Sequence, residues 1–133
     1  MHTSRTIEHV IDDMTDEQFA DLIDAAFERL PKAHRQAVKN VAMVYADEPT
    51  EAQREQLKLQ CNQTLYGLYE GVPLTRRQGA TNYGPDKITI FKGPILRGAQ
   101  NLAEAQERVN RTVWHEAAHY FGLNHEQIHH LES

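Results

Sequence analysis

The segment His115-Glu116-Ala117-Ala118-His119-Tyr120-Phe121-Gly122-Leu123-Asn124-His125 holds three imidazoles and a carboxylate at intervals that suit a metal ion. On an α-helix, His115 and His119 leave the same face about 40° apart. Zinc needs imidazole nitrogens about 2 Å from the ion, and a pair at i and i+4 can supply them without bending the backbone. Glu116 is displaced about 100° from His115, so its carboxylate stands beside the ion without coordinating it. A general base for a metal-activated water belongs there. Gly122 lets the chain turn back and carries His125 towards the same ion. Three protein ligands leave a fourth position open, the mark of a catalytic site; closed four-ligand sites are usually structural. Cys61 is the single cysteine, so no paired cysteines suggest a structural zinc. The reading is one Zn2+ held by His115, His119 and His125, with Glu116 as the catalytic base.

These residues need a helix that packs on one side and faces outward on the other. Residues 102–121 have the pattern for it: Val109, Val113, Ala117, Tyr120 and Phe121 fall roughly opposite the imidazoles. Asn101 and Glu104 offer the N-terminal cap, and Gly122 the stop. An earlier helix begins at Thr15, where Thr15 and Gln18 fit a capping box. Its apolar stripe is Phe19, Leu22, Ile23, Ala26, Phe27 and Leu30, and Pro31 is expected to end it. Residues 38–46 read as a strand that is apolar on both faces and therefore an inner one. Residues 50–61 suit a short polar helix capped by Thr50. Residues 65–69 suit a second strand, and residues 76–86 a loop. Ile88 and Ile90 alternate with Thr89 and Phe91 over 87–92, which predicts a half-buried strand ended by Gly93-Pro94. Asn124 could cap a last short helix. Helix, strands, then helix make an α+β fold, and residues 1–133 are read as one domain.

Composition narrows the function classes. The net charge of −5 disfavours a nucleic-acid surface, which needs clustered Lys and Arg. Arg76-Arg77 is too short a basic run to reverse that. No apolar run approaches the roughly 20 residues that span a bilayer. The first ten residues carry no apolar signal segment. A cytoplasmic, bacterial-type protein with neither a nucleic-acid nor a membrane partner is therefore expected.

At the histidine segment the sequence resembles the zincin metallopeptidases. More closely, it resembles the small bacterial zinc peptidases sometimes called minimal zincins. The likeness also takes in the opening helix up to Leu30-Pro31, the strand followed by Pro49, the Pro85 to Phe91 strand and Gly93-Pro94-Ile95. It implies a reduced zincin-like fold, a small mixed sheet packed against the metal-binding helix. It also implies His115 and His119 as ligands and Glu116 as base. Two departures stand out. That family more often has Asp at the third ligand position, where this chain has His125; His is the third ligand of the metzincins. Those, however, place a methionine turn beneath the metal, whereas Met1, Met14 and Met43 all precede the site here.

The expected function is zinc-dependent hydrolysis of peptide bonds, weak or specialised, with a peptide or unstructured protein as substrate. The resemblance implies an extended substrate along a sheet edge, for which 87–92 is the candidate. One alternative is a non-enzymatic metal-binding or interaction domain. Another is a different metal hydrolase, such as an endoribonuclease of ribosomal RNA maturation. Those share the H-x3-H-x5-H spacing but typically have Gly where this chain has Glu116. Among other residues, Tyr83 could donate to an oxyanion, and His129 or His130 could approach the metal. Trp114 and Tyr120 read as packing aromatics, and Cys61 as a small hydrophobe.

Overall fold

A computed structural model describes residues 13–38, 40–60, 66–71 and 86–122. The described residues form five helices and one small mixed sheet. In chain order these are α1 (Asp16–Glu28), α2 (Lys32–Val38), β1 (Ala42–Ala46), α3 (Glu51–Gln60), β2 (Gly67–Glu70), β3 (Lys87–Phe91), α4 (Lys92–Gly98) and α5 (Leu102–Tyr120). The fold is α+β, as the element pattern predicts.

Helix α1 starts as read. The Thr15 hydroxyl accepts from Gln18 N–H at 3.1 Å, and the Gln18 side chain accepts from Thr15 N–H at 2.8 Å. Phe19, Leu22, Ile23 and Ala26 are buried. The helix stops before Pro31, whose carbonyl then accepts from Arg35 N–H at 2.9 Å and opens α2. Helix α2 takes Val38 out of the expected 38–46 strand. Residues 32–37 are mostly good helix formers, and proline is tolerated at a helix start. Thr50 and Gln53 repeat the reciprocal capping at α3, at 2.9 and 3.1 Å.

The strand order is β1-β3-β2, with β1 parallel and β2 antiparallel to β3. Three expectations are corrected here. Strand β1 lies at an edge, with Val44 and Tyr45 39% and 40% exposed. Strand β3 is central, so residues 87–92 cannot be the substrate edge. Its Ile88, Thr89, Ile90 and Phe91 are all buried, not half of them. An apolar alternation reports the faces of a strand and says nothing of its lateral neighbours, and those decided both positions. The Gly93-Pro94 pair, expected to end an element, lies in the first turn of α4. Proline fits there because the N–H it lacks has no intrahelical partner at that position. Arg97 on α4 grips Glu48 beyond β1 with two bonds of 2.6 and 3.0 Å. That hydrogen bond holds the Glu48 carboxyl below its ordinary range.

The main core lies between the sheet and the helices. Ile88 and Ile90 meet Phe19, Ile23 and Ala26 of α1 and Val109 and Val113 of α5. Helix α5 packs against α1, α2, α4, β2 and β3. The element bearing the candidate ligands is thus the most extensively buttressed in the fold. No helix among the described residues is long and apolar enough to cross a membrane.

Candidate metal centre

Helix α5 is fixed at its start by Asn101, whose side chain accepts from Glu104 N–H at 2.8 Å. Val109 and Val113 are fully buried, and Ala117 and Tyr120 nearly so. That phase leaves His115 and His119 on the flank, half-buried, with ring centroids 5.0 Å apart and planes at 67°. One ligand atom from each of His115, Glu116 and His119 lies within 4.8 Å of the other two. Two convergent imidazoles with a carboxylate make a donor set that suits a divalent transition metal such as zinc. The helix ends as read: Gly122 takes φ +86°, and its N–H donates to the His119 carbonyl at 2.9 Å.

Glu116 is 2% exposed. Its Oε1 accepts from the backbone N–H of Tyr69 on β2 at 2.8 Å. The reason lies in strand alternation. Phe91 N–H bonds the Tyr66 carbonyl, so Tyr66, Leu68 and Glu70 turn their main-chain groups to β3. Gly67 and Tyr69 turn theirs outward. Glu116 therefore caps an edge amide that would otherwise be buried without a partner. Burial pushes the Glu116 carboxyl up to about 8, and the Tyr69 N–H pulls in the opposite direction. A cation on the neighbouring imidazoles would also favour the carboxylate.

Gly67 makes this closeness possible. A Cβ there would collide with Thr112 Cγ2 and come within 3.4 Å of Glu116 Cγ. Tyr69 is held on its other side by its hydroxyl, which donates to Asp86 at 2.7 Å. Its ring packs edge-on against Tyr120 at 5.8 Å. Tyr120 is a packing residue, as its helix phase implies, and Trp114 packs half-buried against the core.

The structure brings together His115, Glu116 and His119. His125, Tyr83, His129, His130, Cys61, Arg76 and Arg77 lie outside the described residues. Sequence reasoning missed the Tyr69 amide and Gly67. A backbone donor leaves no trace in residue type, although a glycine inside a strand candidate is a signal of close approach.

An α+β domain whose long helix presents His-Glu-x-x-His beside an antiparallel edge strand defines a zincin-like class of protein. Residues 38–133 match the Zincin-like metallopeptidase family, and the chain belongs to that family. No curated protein matches the chain.

Proposed function

We propose that the protein is a zinc-dependent peptidase that cleaves extended or unstructured peptides, with zinc held by His115, His119 and His125. The observation that carries this reading is the convergence of both imidazoles and a buried carboxylate within 4.8 Å. Zinc, when bound, supplies Lewis acidity, which makes a water acidic near neutral pH and polarises a carbonyl. Glu116 is the base. Tyr69 N–H engages Oε1 and fixes the carboxylate, leaving Oε2 to take a proton from water and return it to the leaving amine. Burial raises the basicity of that carboxylate, which favours proton capture. The substrate is an extended peptide that crosses the half-buried flank of α5 carrying His115 and His119. A metal-binding domain without catalysis would keep the ion and lack the reaction.

The test is a mixed peptide library incubated with zinc-loaded protein, chelated protein, and chelated protein restored with zinc. Mass spectrometry should find cleavage that chelation removes and zinc returns. Zinc uptake with no cleavage at all would favour the non-enzymatic domain, and RNA cleavage without peptide cleavage the other hydrolase.

A further inference from the structure

Arg108 stands on α5 upstream of His115 and His119 by intervals close to two and three whole turns. Its Cα therefore lies on the imidazole stripe, about 10 Å before His115 at 1.5 Å per residue. Its head group is held by parts of two other elements. Nη1 donates to the hydroxyl of Tyr66, the residue that leads into β2. The guanidinium carbon is 5.1 Å from the Tyr66 ring centroid. Gly98 of α4 closes another side, since a Cβ there would stand 3.0 Å from Nη1.

Among the described residues no carboxylate lies within hydrogen-bond distance of the charge so held. Among the described residues its ion-pair partner is Glu104, at 3.9 Å. Glu104 Oε1 is itself accepting from Gln100 N–H at 3.1 Å. Arg108 Nε is buried with no hydrogen-bond partner, yet the side chain remains 30% exposed. A guanidinium carries five donors in a rigid fork matched to a carboxylate. Fixing one in place without a bonded anion is costly in the free protein, and a bound anion recovers that cost.

We propose that Arg108, seated by Tyr66 and Gly98, is a specificity-determining residue that receives a carboxylate of the peptide substrate. This rests on the peptidase reading, with the peptide running along the imidazole flank of α5. An extended chain advances about 3.3 Å per residue, so the carboxylate lies about three residues from the scissile bond. It belongs either to an Asp or Glu side chain or to the peptide's own C-terminus.

The test uses zinc-loaded wild type, Arg108→Met and Arg108→Lys with matched fluorescent peptides. One set moves a single Glu or Gln through each position of an amidated peptide; the other compares free and amidated C-termini. Both kcat/KM and Kd by anisotropy are measured. Wild type should favour the carboxylate by about tenfold, mainly through KM and Kd, the scale of a charge-assisted hydrogen bond. Arg108→Met should abolish the preference, and Arg108→Lys should keep part of it. The set that shows the preference identifies the carboxylate's source. Equal treatment of carboxylate and neutral peptides by wild type, or a preference that survives in Arg108→Met, overturns the proposal and leaves the peptidase reading intact. If no peptide is cleaved, the peptidase reading fails and the Kd comparison still decides this one by the same criteria.

Discussion

Glu116 meets two opposed demands: it is buried where it meets the edge of β2, and the base role proposed for it needs a charged carboxylate. Desolvation dominates in the metal-free protein, where its pKa is pushed up to about 8 from an ordinary 4.5. Between those values the folded protein binds one proton more than the unfolded chain. Its stabilising contribution is therefore complete below about pH 4.5 and is lost as pH rises towards 8. The slope is at most about 1.4 kcal/mol per pH unit. Chemical denaturation of chelated protein between pH 5 and 8 should show this loss, and Glu116→Gln should flatten it. Parallel curves would contradict the account. The proposed third ligand gives a second prediction. His125 follows the Gly122 turn, whereas His119 is held by the helix. His125→Ala should weaken zinc binding less than His119→Ala does, and His125→Asp should keep it. Isothermal titration decides; equal affinity in wild type and His125→Ala would remove His125 from the ligand set. At this scale the sequence was informative because helix phase follows from spacing alone, which placed His115, His119 and Glu116. It did not reveal that Glu116 is anchored by a main-chain amide, because every residue but proline carries one.

Between elements, the centre depends on how closely α5 approaches β2. Gly67 sets that distance, and Thr112 and Glu116 fill the space a side chain would occupy. Gly67→Ala should overpack the contact and destabilise the protein by roughly 1–3 kcal/mol, as overpacked cores do. A thermal melt that matches wild type would show the contact to be slack. Helix starts were legible wherever a side chain performs the capping, as at Thr15, Thr50 and Asn101. Strand neighbours were not. Residues 42–46 and 87–91 are both short apolar runs, and hydropathy cannot say which has partners on both edges. Strand β3 is consequently removed as the substrate edge, and β2 is the strand that touches Glu116.

Across the whole molecule, the metal helix belongs to the core and does not hang from it. Zinc that binds only the folded state should therefore stabilise the entire domain, by about 2.7 kcal/mol at a free concentration a hundred times Kd. Zinc should raise the melting temperature of chelated protein, and His119→Ala should lose most of that rise. An identical melt with and without zinc would argue against the centre. The α+β class was readable from element order, because long amphipathic helices at both ends of the chain flank the strands. The central claim is that a zinc-bearing fold performs hydrolysis through Glu116. Its most direct measurement compares peptide-library cleavage by wild type and Glu116→Gln at equal zinc occupancy, verified by elemental analysis. The account predicts normal zinc content and a rate at least about a hundredfold lower in Glu116→Gln, the range of a positioned general base. Cleavage by Glu116→Gln as fast as wild type would contradict it.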